Sequence, residues 1–315
     1  MSVNAAVLGA ATVVIFRAVS LLAAVSLGYA GHPWEADSEF DDRLLTLVVG
    51  GLPALRDLGT IPQLSLFLIQ ALTAYLLWAV FGVAMCRTLA VRIGRDEYIP
   101  MKAAWRFALS TKSTALMHFP AMALPILFCG AVVAILGLFA QIPYAGWVLN
   151  AVLLPGTVLF AVIMQIIWFA GIVALGFTPA AIASERKGIF ETIPKILHYL
   201  FARPLPTVLY LSVLFVFFWL LESAVFAPER LKDALASLLT VIWRDETFDR
   251  IVRGDVAHLE GFAKFAGWMH LLMLGGIDAL VRGAFLSWAA GGFTALFLMF
   301  RQECDGVDMA DVVRE

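Results

Sequence analysis

Long apolar runs separated by short charged stretches set the rhythm of this chain. Residues 5–30, 61–85, 113–140, 147–177, 204–226 and 271–300 are each apolar and long enough to cross a bilayer as a helix. The pattern predicts an all-α integral membrane protein with about six transmembrane helices. Residues 31–60 open with Glu35, Asp37, Glu39, Asp41 and Asp42, then carry an apolar piece too short to span, which reads as interfacial or re-entrant. A second large polar loop is expected over 227–262. Within it, Leu231, Leu235, Leu238 and Ile242 recur at helical spacing and predict an amphipathic helix. Pro120, Pro125 and Pro155 fall inside the third and fourth spans, which therefore read as proline-broken.

The last span carries small residues at every fourth position: Gly275, Ala279, Gly283, Ser287, Gly291 and Ala295. Residues four apart share a helix face, so this is a ridge with almost no side chain. In lipid such a ridge lets backbones approach closely, which is how membrane helices associate. The sixth span is thus expected to be the packing centre, with the whole ridge turned to other helices. Leucine at Gly283 should disrupt it, and alanine there should be far milder.

The stretches 86–112 and 178–203 are basic, with Arg87, Arg92, Arg95, Lys102, Arg106 and Lys112 in the first. By the bias of Lys and Arg toward cytoplasmic loops they belong inside. Both termini then fall in the cytoplasm, and 31–60 and 227–262 form two extracytoplasmic loops. Each basic stretch holds an amphipathic segment. In MKAAWRFALS, Lys102, Arg106 and Ser110 oppose Met101, Ala104, Trp105 and Ala108. In FETIPKILHYLF, Glu191, Lys195 and His198 oppose Ile193, Ile196, Leu197 and Leu200. Two cytoplasmic amphipathic helices follow. The sequence Arg95-Asp96-Glu97 in one stretch and Glu185-Arg186-Lys187 in the other suggest parallel repeats over 61–140 and 147–226 within a single polytopic domain, 1–315. The absence of a basic leader before residue 5 makes the first run a span and not a cleaved signal.

Composition agrees with this reading: 62% of the 315 residues are hydrophobic, only 15% are charged, and the net charge is −2. No basic, aromatic-interleaved surface suggests nucleic acid as a partner. Cys86, Cys129 and Cys304 lack metal or redox spacing. His118 and His270 sit toward opposite ends of their spans, and His198 alone could approach His118. No Ser-His-Asp order, phosphate loop or HExxH is present, so neither an enzyme nor a cofactor is expected.

The run of a span, Arg95-Asp96-Glu97, Ile99-Pro100, an amphipathic segment and a second span, followed by the later Pro179-Ala180-Ala181-Ile182-Ala183 and Arg203-Pro204-Leu205, resembles uncharacterised bacterial multi-pass proteins. These are loosely similar to the membrane domain found beside glycerophosphodiester phosphodiesterases. The resemblance covers roughly residues 70 to 225 and implies a six-helix membrane domain in a bacterial inner membrane. It brings no catalytic residue. Lys102-Ala103-Ala104 followed by Phe119-Pro120 is also similar to the loop by which some ATP-driven permeases dock their ATPase, with Lys102 in place of the acid.

Arg17, Glu222, Asp278 and Arg282 are ionisable residues within apolar spans, and each costs at least about 2.5 kcal/mol unless paired or wetted. Asp278 and Arg282 share a face and can pair. The expected function is that of a non-catalytic membrane subunit or scaffold, with the lipid bilayer and other membrane subunits as partners. The alternative is a permease-like or ion-coupled carrier, with a pathway beside the proline-containing spans lined by Asn150 and Gln165.

Overall fold

The computed structural model describes residues 3–27, 40, 43, 61–139, 145–216, 220 and 260–311. In order, they form α1 (Val3–Ser26), α2 (Ile61–Leu77), a single π-helical turn (Trp78–Gly82), α3 (Val83–Arg95), α4 (Met101–Leu116), α5 (His118–Phe139), α6 (Ala145–Glu185), α7 (Ile189–Ala202), α8 (Pro204–Val216) and α9 (Gly261–Asp305). All regular structure among the described residues is helical. Five stretches of helix are long and apolar enough to cross a membrane, or six if the bent pair α7–α8 counts as one. The protein is an all-α membrane protein. The loops expected at 31–60 and 227–262, the helix expected around Leu231 to Ile242, and Glu222 lie almost wholly outside the described residues.

The helices outrun the apolar spans from which they were read. α3 continues to Arg95 and α6 to Glu185, so residues expected in basic loops are the ends of long helices. Arg87 is one of them: it is buried, and its Nη1 donates to Ala183 O at 2.9 Å. The last carbonyls of a helix lack intrahelical donors, and a cation beside them also meets the negative end of the helix dipole. The Arg87 guanidinium further stacks 4.5 Å from the Phe107 ring of α4.

The prolines do not break the spans. α5 runs on through Pro125, and α6 runs through both Pro155 and Pro179. Each proline removes one donor from the helix ladder, and in lipid the freed carbonyl must find another. Two of those carbonyls are served by neighbouring side chains on one stretch of helix. The carbonyl that Pro179 leaves unpaired is Leu175 O, and it accepts from Trp78 Nε1 at 3.1 Å. Pro120 leaves Leu116 O, which accepts from the Tyr75 hydroxyl at 2.7 Å, while Phe119 N–H donates back to that hydroxyl at 3.1 Å. Tyr75 and Trp78 lie three residues apart and so on one side of the α2 end. The π turn that begins at Trp78 is a distortion typical of such functional or strained points.

The connections α3–α4 and α6–α7 are built alike. Asp96 and Arg186 both adopt the left-handed conformation, at φ 56° and 53°. Each donates its N–H to the carbonyl four residues earlier, Arg92 O and Ile182 O. An extended residue then opens the next helix: Pro100 in one, Gly188 in the other. Beyond this point they part. α4 and α5 together read as one long helix, whereas α7 and α8 meet at 102°. Arg203, at φ −136° and ψ 75°, has left the helical region that a following proline disfavours, and Pro204 starts the new helix.

The main core lies where α3, α6 and α9 converge, around Val83, Met85, Phe177, Ile182, Phe297 and Phe300, with Tyr199 of α7 sealing one end. Asn4 Nδ2 at the start of α1 donates to Ile99 O. Arg95 Nε donates to Ala310 O, and Met309 packs with Ile99 and Leu298. Both described ends of the chain therefore sit with the α3–α4 connection.

Candidate functional site

The end of α6, one side of α7 and the end of α9 meet in a network of ionised side chains. Glu185, at the last position of α6, is the hub, with only 7% of its side chain exposed. Lys195 Nζ of α7 lies 2.6 Å from Glu185 Oε1 and 2.8 Å from Asp305 Oδ2. Arg301 of α9 brings Nε to 3.1 Å from the same Glu185 oxygen. That Nε–H is not aimed well enough to make a hydrogen bond, so the contact is electrostatic, while Arg301 Nη1 donates to Asp311 O at 2.9 Å. The buried Tyr199 hydroxyl donates to Asp305 Oδ2. At the rim, Arg203 pairs with Glu303 at 3.4 Å.

Two acids and two bases thus neutralise each other across three helices. Burial pulls the Lys195 ammonium down, but its hydrogen bonds to Asp305 and Glu185 outweigh that and hold its pKa above the ordinary lysine value. Burial and the bond to Asp305 push the Tyr199 phenol up. A network of this kind fixes the relative position of its helices, because removing one member leaves another buried and uncompensated. In the sequence, Lys195 was visible as part of an amphipathic polar face and the others only as charges at the ends of apolar stretches. The available signal was Glu185, Lys195 and Arg301 at the margins of apolar stretches, with nothing in the spacing to bring them together.

The small-residue ridge is divided by the structure. Its middle is the crossing of α9 with α1. A Cβ added at Gly283 would lie 2.2 Å from Ala10 N, and one added at Gly9 would lie 2.0 Å from Gly283 O. Ala279 and Ser287, one turn to either side, are buried. Toward the two ends the described contacts are looser: a Cβ at Gly291 would lie an ordinary 3.7 Å from Leu89 of α3. A Cβ at Gly275 would meet no described atom within 4 Å. Ala295 is exposed, and with Gly291 it borders an apolar groove of about 520 Å³ against Leu214 of α8. The tight packing is centred on Gly283, with Ala279 and Ser287 buried beside it. The geometry argues against the expected mildness of alanine at Gly283: the neighbour is backbone, which has no rotamer with which to yield.

Of the four intramembrane charges, two have described side chains. Arg17 is half-buried on α1, and Arg282 is half-buried on α9 just before the crossing. Glu222 and the side chain of Asp278 lie outside the described residues, so the pairing of Asp278 with Arg282 does too. Inside the bundle, the buried Gln70 of α2 donates to Ser20 of α1 at 2.6 Å.

His118 is buried between α5 and α6 with both ring nitrogens engaged. Nε2 is 3.3 Å from Gly171 O, and Nδ1 is 2.9 Å from Thr178 Oγ1. A carbonyl only accepts, so Nε2 carries a proton and donates to Gly171 O, while Nδ1 is hydrogen-bonded to the Thr178 hydroxyl, which also donates to Ala174 O. The imidazole bridges the two helices. His198 is exposed on α7 and takes no part in it, so the two histidines do not form a site. No group of three or more His, Cys, Asp or Glu among the described residues is placed to hold a metal ion. Comparison with protein-family models, with curated proteins and with solved structures gives no match.

Proposed function

We propose that this chain is a non-catalytic multi-pass subunit that scaffolds a larger assembly in a bacterial inner membrane. The reading rests above all on the closed network of Glu185, Lys195, Arg301 and Asp305, in which ionisable groups are used to lock three helices together. A rigid body of this kind suits a subunit that positions others. Sidedness is part of the proposal. The exposed basic residues Lys102, Arg106 and Lys187 flank the two matching connections, and on the positive-inside bias that end faces the cytoplasm together with both chain ends. The likeness of residues 70 to 225 to phosphodiesterase-associated membrane domains is taken as a likeness of architecture alone.

The permease reading has less support. Gln165, expected to line a pathway, is on the exposed side of α6, and the prolines of α5 and α6 do not open their helices. Extraction in mild detergent followed by mass spectrometry of co-purifying chains tests the proposal. Partner subunits in fixed stoichiometry are expected. A chain that purifies alone and drives ion or solute flux in proteoliposomes would replace the scaffold with the carrier. For sidedness, a cysteine at Asp41 or Asp249 should react with an impermeant thiol reagent in intact cells, and one at Lys102 or Lys187 should not.

A further inference from the structure

α7 has three faces where an amphipathic helix needs two. At 100° per residue, Ile189, Ile193, Ile196 and Leu200 fall on one side, and all four are buried against the bundle. Glu191 and His198 fall on a second side and are exposed, with Lys195 at its edge turned toward Glu185. Phe190, Pro194, Leu197 and Phe201 fall within an arc of about 60° between these two faces. Most of that third face is apolar and outward: Phe190 is 73% exposed and Phe201 63%, with Pro194 exposed beside them, while Leu197, nearest the Ile side, is half-buried against the bundle.

The orientation of α7 says what covers this strip. α8 runs beside α9, with the Tyr210 ring 6.0 Å from that of Phe300 and Leu214 filling the space over Gly292. α7 meets α8 at 102°, so it runs across the direction of the long helices. When α8 and α9 cross the membrane, α7 lies in its plane. The strip continues past Pro204 into Leu205, Val208 and Leu209, the exposed apolar side of α8, so one unbroken apolar surface turns a corner from the spanning to the in-plane direction. Exposed cations mark both ends of α7: Lys187 before it and Arg203 after it. Apolar side chains inward, long cations at headgroup level and an acidic or polar side toward water is the arrangement of an interfacial helix.

We propose that α7 is a lipid-facing interfacial helix that inserts Phe190, Pro194 and Phe201 into the upper acyl layer of the leaflet, while its Ile face, Leu197 and Lys195 hold it to the bundle. This goes beyond the scaffold reading and does not depend on it. The partner it assigns is the lipid surface itself, a direct mechanical link between that surface and the ends of α6 and α9.

The test places an environment-sensitive fluorophore at Phe190→Cys, Phe201→Cys or, as the water-side control, Glu191→Cys. The full chain carries Cys304→Ser, since Cys86 and Cys129 are buried. Each variant is reconstituted in phosphatidylethanolamine–phosphatidylglycerol vesicles, and its folding is checked by elution volume before reconstitution. Labels at Phe190 and Phe201 are expected to emit to the blue of the control. Lipids carrying a quencher near the top of the acyl chain should remove at least half of their emission, and lipids quenching near the chain end should remove less. Emission at both positions equal to that at Glu191 would overturn the proposal. So would blue-shifted emission that no lipid-borne quencher reduces, because protein would then cover the strip.

Discussion

α9 is gripped in two places by opposite means. Near its middle, Gly283 meets Gly9 of α1, and the contact works because neither residue has a side chain. Near its end, Arg301 and Asp305 reach Glu185, Lys195 and Tyr199, and the contact works entirely through long polar side chains. The first belongs to a setting where no hydrophobic force pulls helices together and close backbone approach must replace it. The second tolerates charge because every carboxylate faces a cation and the rim gives access to water. The two contacts should therefore fail in different ways: the crossing to added volume, the network to lost charge.

The largest effect is expected at the crossing. Gly283→Leu places a branched side chain where the Ala10 backbone lies, so α1 must separate from α9, and the variant should lose the single elution peak of the native protein in detergent. Gly283→Ala should also destabilise, by more than the 1–3 kcal/mol or so typical of overpacking against movable side chains, and a thermal melt checks this. An alanine variant that melts like the native protein would mean that the helices are not in backbone contact.

The network should answer to charge and not to volume. Glu185→Gln keeps the shape but leaves Lys195 and Arg301 facing a neutral amide. Breaking a buried pair from one side costs roughly 3–5 kcal/mol, reduced here because Lys195 is partly exposed. A loss of about 2–3 kcal/mol is expected, and no change on melting would remove the hub role given to Glu185.

Smaller again is the effect at the proline-freed carbonyls. Tyr75→Phe removes the hydroxyl that joins Leu116 O to Phe119 N–H, for an expected loss of about 1–2 kcal/mol. Trp78→Phe should act alike through Leu175 O.

The pH dependence of the network is the finest test. Lys195 is held above the ordinary lysine value, so its contribution is complete below that value and fades only as pH rises through the raised one. The melting temperature attributable to Lys195, taken as the difference from Lys195→Met, should be flat around neutral pH and shrink only in strong alkali.

The two grips also differ in how far they could be read from the sequence. Small residues at every fourth position are a one-dimensional signal, and the pattern picked out Gly283 and α9 without a structure. It did not show where the ridge stops, because that depends on the crossing with α1, and Gly9 has no comparable ridge around it. The network gave no comparable signal: periodicity placed Lys195 on the polar side of an amphipathic helix but said nothing of its partners. Glu185, Lys195 and Asp305 come from three helices, and their meeting depends on the left-handed turn at Arg186 and on the lie of α7. Apolar helices were legible from hydropathy, but their ends were not, since hydropathy marks apolar stretches and α3 and α6 run on past theirs to Arg95 and Glu185. Prolines were misleading for a related reason: the donors that repair the ladder at Pro120 and Pro179 are Tyr75 and Trp78, more than forty residues away.

The claim that α9 is organised around a bare-backbone crossing is tested most directly by a double-mutant cycle between Gly9 and Gly283. Either single change to alanine already forces the helices apart, so the second finds the contact gone. The loss in Gly9→Ala/Gly283→Ala should be close to that of either single variant, with a large coupling energy between the two. Losses that add, each variant contributing its full cost in the presence of the other, would show that the two glycines do not meet and would contradict the account.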